Sequence, residues 1–346
     1  MRKVLFFLTA ALLSAPLAAP ASAQPRRNQP APRPAATAPA QAARVLASLP
    51  ASDAVVHVDA KRLLTEALPR AFNNNAAELA RINSEIDKFK ARTGLDARQF
   101  ERIAVGASYG QTASGATTMD TVALVQGAFN SAALISGARA ASAVKSREEK
   151  HKGRSLYVFT VNEDVKLLGL FNLRVTELAV AALDANTVAL GKLERVRAAL
   201  DANEAGGVRV SAEIAALATR NPAAVVGLGG NVPRDAFAGV QFPSEQLGRN
   251  ANSIRQLYGS VATNEAGFQM ESVLRTETAA EARSLGDTIS GLKGLAGGLI
   301  GFRFQEPKAG LLRGVVEATR VAAAGNEVQI TLDLKQDGLA ALLEVF

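Results

Sequence analysis

The chain has 346 residues, a length typical of about two domains. Of these residues 48% are apolar, which is enough to form folded cores and excludes a disordered protein. It contains no cysteine, no tryptophan and only two histidines, His57 and His151, which excludes disulfide scaffolds, thiol catalysis and cysteine-ligated zinc sites. The net charge is +7, but five positive charges lie within the first 33 residues, and the rest of the chain carries only +2, which argues against a nucleic-acid-binding groove.

The first 23 residues have the pattern of a secretory signal peptide. Arg2 and Lys3 form a positive start, residues 4–13 are an apolar run, and Ala21-Ser22-Ala23 is a small-residue cleavage site. An apolar run of about ten residues is too short to cross a membrane as a helix, which needs about twenty. We therefore predict export by the general secretory route, cleavage after Ala23, and a mature protein in the periplasm or outside the cell.

Residues 24–42 are rich in proline and alanine and hold no apolar side chain larger than alanine. Such a segment cannot bury enough surface to offset the entropy lost on ordering, so it is predicted to be a disordered tether. It serves either as a spacer or as a contact with the cell wall or a partner through Arg26, Arg27 and Arg33.

A first lobe is predicted over residues 43–205. It opens with a strand at 54–59, followed by a helix at 60–68 that Asp59 caps and Pro69 ends. Leu79, Ile82, Ile86 and Phe89 then recur at helical spacing. The remaining predicted elements are strands at 103–108 and 121–127, a helix from Asn130, a strand at 156–161, hairpin strands at 177–183 and 187–190, and a helix at 193–200.

A second lobe is predicted over residues 206–346, after the break at Gly206-Gly207. Its predicted elements are a helix at 210–218, a strand at 223–228, an interrupted helix from Pro233 towards Asn250, hairpin strands at 254–263 and 268–275, a helix capped by Thr278, a helix at 311–321, a strand at 328–334 and a last helix at 339–345. The two lobes share one order of elements. We therefore predict an α+β fold of two similar lobes, each a mostly antiparallel sheet with helices on one face in ferredoxin-like order.

Six segments resemble those of a group of exported bacterial proteins of unknown function that are built from a duplicated α+β unit. The segments are DAVVHVDAKRLL, TGLDARQFERIAVG, VALVQGAFN, KGRSLYVF, LDANTVALGKLERVRAALD and EVQITLDLKQDGLAALL. They cover most of residues 50–205 and little of the rest. The resemblance implies the fold and export, and it carries no catalytic residue, cofactor or ligand.

Two short motifs match the patterns of serine nucleophiles. Residues 106–110 match G-x-S-x-G with Ser108 at the centre, but a polar loop follows where a nucleophile elbow needs a helix. S-x-x-K occurs twice, at Ser142/Lys145 and Ser290/Lys293, without the other motifs of that chemistry. We interpret the first as a hairpin strand and the other two as chance matches.

Other patterns are weaker still. Gly227-Leu228-Gly229-Gly230 resembles a dinucleotide loop, but Val232 stands where the third glycine belongs, so a tight turn before a helix is favoured. His57 and Asp59 are predicted to share one face of a strand, where they could form a metal site or a base–acid pair, but a partly exposed strand histidine is favoured. Glu163-Asp164 lacks the spacing of a calcium loop.

Two further segments have an unusual composition: one is rich in charged residues and the other in glycine. The mixed charges of residues 145–152 indicate a solvated loop. The segment 291–302 repeats glycine at G-x-x-x-G spacing, which favours a tight intramolecular contact or a flexible edge, with membrane or partner contact as the alternative.

The leading hypothesis is a non-enzymatic envelope protein that acts as a binding or scaffolding module for an envelope protein or small ligand, with no catalytic residue, cofactor or metal. The alternatives are a serine hydrolase that uses Ser108, and a peripheral membrane or self-assembling protein that acts through residues 291–302. A pocket that joins Ser108 to His57 or His151 would favour the hydrolase. An exposed apolar patch at 291–302 would favour the surface protein.

Overall fold

The computed structural model describes residues 38–335 except 74, 94–95, 112–116, 142–145, 168–170, 235, 238–239, 243, 265–266, 304–305 and 307. The predicted signal peptide, the tether up to residue 37 and the predicted helix at 339–345 lie outside the described residues.

The described residues form one twelve-stranded sheet in which every neighbouring pair is antiparallel. The strands are β1 (Ala54–Asp59), β2 (Phe100–Gln111), β3 (Thr117–Gly127), β4 (Ser146–His151), β5 (Arg154–Leu167), β6 (Phe171–Asp184), β7 (Thr187–Gly191), β8 (Ala224–Asn231), β9 (Ile254–Asn264), β10 (Gly267–Thr276), β11 (Thr319–Ala324) and β12 (Glu327–Lys335). Their order across the sheet is β11-β12-β10-β9-β8-β1-β2-β3-β7-β6-β5-β4.

Helices connect and cover the strands. They are α1 (Ala38–Ala47), α2 (Ala60–Arg62), a π-helical turn (Leu63–Ala67), α3 (Leu68–Ala71), α4 (Ala76–Thr93), a 3₁₀ turn (Ala97–Gln99), α5 (Ser131–Ala141), α6 (Leu193–Ala202), α7 (Ala212–Ala218), α8 (Glu245–Asn252), α9 (Ala279–Arg303) and α10 (Lys308–Ala318). None of these described helices is long and apolar enough to cross a membrane.

The predicted α+β class with a mostly antiparallel sheet is confirmed, whereas the two-lobe organisation is not. Strand β1 pairs with β2 on one side and with β8 on the other, so the strands assigned to the two lobes form one continuous sheet. Outward from this junction, the two halves run β1-β2-β3-β7-β6-β5-β4 and β8-β9-β10-β12-β11.

The predicted ferredoxin-like order is wrong. That order would place a strand of the following hairpin between β1 and β2. Here β1 and β2 are direct antiparallel neighbours, with Val56 opposite Val105. The described residues between β1 and β2 form successive helical segments rather than one crossover helix, and β2 then pairs directly beside β1.

The strands of the first half are covered by helices on both faces of the sheet, not on one as predicted. One face, which we call the front, packs against α4 and α5 through a cluster that includes Ile82, Leu134 and Val125. The other, the back, packs against α1, α6 and α7 through a cluster that includes Leu46 and Leu124. Consecutive apolar residues such as Leu124-Val125 place an apolar side chain on each face, and both faces therefore need a cover.

The second half also has helices on both faces of its sheet, so the prediction of one covered face is wrong here too. Ala282 and Leu285 of α9 pack on the front, against Val328 of β12. On the back, Leu217 of α7 packs on Tyr258 and Val273, whereas the alternate residues of the outer strand β12 are polar there, among them the exposed Gln329 and Asp333. The alternation in β12 is typical of an antiparallel sheet with one solvated face.

Several predicted boundaries shift. Helix α1 begins at Ala38, inside the predicted tether. The charged segment after 145 is the edge strand β4 rather than a loop, and its exposed charges protect that edge from pairing with other chains. The helix predicted to reach 321 ends at Ala318, because Thr319–Ala324 pairs with β12 as β11.

The helix predicted to end before Pro69 instead continues to Ala71. Proline cannot donate a backbone hydrogen bond and its ring crowds the carbonyl four residues earlier. The chain accommodates this with the π-helical turn, in which the N–H of Leu68 donates to the carbonyl of Leu63.

The glycines at 227–230 lie within β8 and bring a helix close to the sheet; they do not form a turn before a helix at Pro233. A Cβ at Gly227 would overlap the carbonyl oxygen of Ala218, and one at Gly229 would lie 2.6 Å from Cβ of Leu217. Helix α7 therefore rests directly on the backbone of β8.

We expect Gly227→Ala to lower the free energy of unfolding by about 1–3 kcal/mol, because α7 must move away from the sheet. The matched control is Gly314→Ala in α10, where a Cβ would meet nothing within 4 Å. It should raise stability by up to about 1 kcal/mol through helix propensity. Urea unfolding of both variants measures this, and equal effects would contradict the close approach of α7.

Candidate functional site: the buried His57 cluster

The most concentrated buried polar chemistry lies on the back face at the centre of the sheet. Asp59 of β1 stands directly opposite Arg102 of β2. The Nη1 of Arg102 donates to Oδ1 of Asp59 at 2.6 Å, and both side chains are almost fully buried. The Nη2 of Arg102 donates to Oε1 of Gln41 at 3.0 Å, which links α1 to the ion pair.

Asp59 also caps the following helix, as predicted. Its Oδ1 accepts the backbone N–H of Arg62 at 3.1 Å. One carboxylate therefore neutralises a buried cation and satisfies a free N–H at the start of α2.

His57 shares the buried face with Asp59, as the alternation predicts, but it is 5% exposed rather than partly exposed. Its Nε2 has no hydrogen-bond partner in the described part of the chain. Burial, and next the positive charge of Arg102, lower the pKa of His57 to about 4, against the opposing effect of Asp59. The imidazole is therefore neutral at neutral pH.

A small cleft opens beside His57 and Asp59, between β1 and the segment that joins α7 to β8. It is lined also by Arg62, Thr219 and Asn221. Its volume is about 20 Å³, the space of about one water molecule. No group of three or more His, Asp or Glu that could hold a metal ion occurs among the described residues.

The structure does not bring Ser108 together with a histidine. The whole of Gly106–Gly110 lies within β2, and Oγ of Ser108 donates to the carbonyl of Ala51 at 3.2 Å. His57 is opposite Ala104, about 13 Å away along the strand. His151 lies on β4, five strand spacings or about 24 Å across the sheet, where Asp201 binds it.

The other predicted motifs are not assembled into a site. Ser142 and Lys145 lie outside the described residues. Nζ of Lys293 donates to the carbonyl of Thr319. Glu163-Asp164 lies in the middle of β5 rather than in a calcium-binding loop.

The glycine-rich segment forms the second half of α9 and is exposed. Leu292 is 47% and Leu295 65% exposed, and Cβ atoms at Gly291, Gly294 or Gly298 would meet nothing within 4 Å. The tight intramolecular contact predicted for these glycines is therefore wrong at these three positions. We call these five residues the glycine–leucine surface; it carries no charged side chain.

Comparisons with known proteins give a sparse result. No family model and no curated protein matches the chain. Several solved structures resemble it, among them crystal forms of TP0453. Crystal form III of TP0453 has a TM-score of 0.45 and 9% identity over 87% of this chain and 98% of that one. Crystal form IV of TP0453 has a TM-score of 0.43 and 10% identity over 86% and 95%. Neither bears on function at this similarity.

Sequence reasoning missed Arg102 and Gln41. Arg102 was one of many arginines, and only the register of β1 against β2 places it opposite Asp59. Gln41 fell within the segment predicted to be a tether. The available signal was that Arg102 shares the alternate positions of its strand with the apolar residues Phe100 and Ala104, which are expected to face the core.

We expect His57 to make stability depend on pH. The unfolded chain binds a proton at His57 near pH 6.5 and the folded chain near 4, so the unfolded state binds more protons between these values. The free energy of unfolding should therefore fall by about 3 kcal/mol as the pH drops through this interval, with no such contribution above it. Urea unfolding of the wild type and His57→Gln between pH 4 and 7 measures this, and equal slopes would contradict it.

We expect the Asp59–Arg102 pair to behave as a coupled unit. Arg102→Met leaves a buried carboxylate without its cation and should cost about 3–5 kcal/mol. Asp59→Asn retains a cap for α2, so the double variant should be more stable than Arg102→Met alone. A double-mutant cycle by urea unfolding measures the coupling, and simple additivity would refute it.

Proposed function

We propose that this chain is an exported, non-enzymatic protein that binds another envelope protein through the glycine–leucine surface of α9. One observation carries the proposal, namely the exposure of two leucines among glycines in the second half of a long helix. Soluble helices normally place charged or polar side chains on their exposed face. Exposed apolar surface of this kind marks contact sites.

The glycines of this surface indicate that the partner places a helix or another apolar segment directly against α9. Each glycine in a helix interior costs about 1 kcal/mol relative to alanine. Nothing within the described chain requires Gly291, Gly294 or Gly298 to be small. A partner backbone that approaches the helix closely would require it.

Export and internal duplication belong to the same proposal. The signal-peptide pattern of residues 1–23 supports export. In both halves the first three strands outward from the β1–β8 junction are consecutive in the chain, which supports descent of both halves from one unit, with a boundary near residue 205.

A photo-crosslinking experiment in the cells that express the chain tests the surface. A photo-crosslinking amino acid is placed at Leu295. In the control it is placed at Val208, which lies outside the glycine–leucine surface and is 74% exposed. We expect a defined protein adduct at 295 that is absent at 208. Lipid adducts at 295 would favour the membrane alternative, adducts with a second copy would favour self-assembly, and no specific adduct would refute the surface.

Polar substitution measures the strength of the contact. Burial of one leucine contributes about 1.5–3 kcal/mol, so Leu292→Gln with Leu295→Gln should weaken binding to the crosslinked partner at least about tenfold. Both side chains are exposed, so the free energy of unfolding should stay close to that of the wild type. Val208→Gln is the matched control, and an equal loss of binding with it would contradict the assignment.

A further inference from the structure

A second feature, independent of the α9 surface, lies on the front of the first half. The π-helical turn Leu63–Ala67 widens the helical segment between β1 and α4 at the point where Pro69 prevents regular hydrogen bonding. π-Helical turns are rare and occur frequently at functional sites. This turn forms one wall of a cleft larger than the one beside His57.

The cleft lies between the turn and α4 and has a volume of about 220 Å³. Its floor is apolar and is formed by Leu64, Leu68, Leu79, Ile82 and Ile86. Its rim is polar and is formed by Lys61, Thr65, Asn83 and Arg98. A concave apolar floor with a few polar groups at its edge is the usual design of a small-molecule site.

The rim carries one uncompensated positive charge. Nη1 of Arg98 lies 2.8 Å from Oδ1 of Asp87 and 3.5 Å from Oδ1 of Asp96, so acidic neighbours balance its charge. Lys61 is exposed and forms no ion pair with any described residue. The cleft therefore combines an apolar interior with a free ammonium group at its mouth.

We propose that this cleft binds a medium-chain aliphatic carboxylate, with the chain on the leucine and isoleucine floor and the carboxylate at Lys61. A volume of 220 Å³ holds about seven groups of the size of a water molecule, at about 30 Å³ each. Methylene groups are of similar size, so a chain of about eight carbons fits. The apolar floor selects the chain and the single ammonium selects the anionic head.

Calorimetric titration of the mature chain with hexanoate, octanoate and decanoate tests the proposal. Each added methylene that the cleft accommodates should lower Kd about two- to fourfold, and the gain should stop near octanoate or decanoate. Octanol, which lacks the charge, should bind about fivefold more weakly than octanoate. Absence of saturable octanoate binding at millimolar concentration would overturn the proposal.

Variants at the rim locate the binding. Lys61→Gln should weaken octanoate binding about fivefold and leave octanol binding unchanged. Thr65→Phe should abolish binding of both by filling the cleft, and Asn83→Phe provides a second block from the α4 wall. All three side chains are exposed, so thermal melting should show folded protein.

The matched control is Lys88→Gln, on α4 outside the cleft, where the side chain is paired with Glu85 and 62% exposed. It should leave octanoate binding unchanged. Equal effects of Lys61→Gln and Lys88→Gln, or octanoate binding that survives both blocking variants, would refute the site.

Discussion

The pairing of β1 with β8 is the constraint on which the rest of the architecture depends. Strand β1 has only six residues, yet it donates and accepts ladder hydrogen bonds on both sides and joins two sets of strands into one sheet. Helix α7 covers this junction and can do so only because Gly227 and Gly229 leave no side chains beneath it. A close-packed helix over a glycine-lined strand leaves little room for adjustment.

The polar cluster beneath α1 and α7 follows from the same constraint. Once β1 is central, its back-face residues His57 and Asp59 are buried regardless of their polarity. Burial of a charge is costly unless it is paired, and Arg102 provides the pair from the adjacent strand. His57 is accommodated as the neutral imidazole. The cluster thus explains how α1, β1 and β2 are held in one register, and its small cleft leaves little room for a substrate.

The surfaces available for binding lie away from this centre. The glycine–leucine surface belongs to the second half of α9, whose first half is anchored on the sheet through Ala282 and Leu285. The larger cleft lies between α4 and the π-helical turn that precedes Pro69. In both places a residue that disfavours a regular helix occurs where an exposed apolar surface is found.

The sequence by itself determined the strand β1, the hairpins β6–β7 and β9–β10, the caps at Asp59 and Thr278 and the α+β class, because periodicity, turn residues and capping are local. It left open which strands meet across the molecule. Only the tertiary structure decided that β1 pairs with β8, that Arg102 faces Asp59, and that Leu292 and Leu295 stay exposed. These outcomes depend on contacts between residues far apart in the chain, which no local pattern encodes.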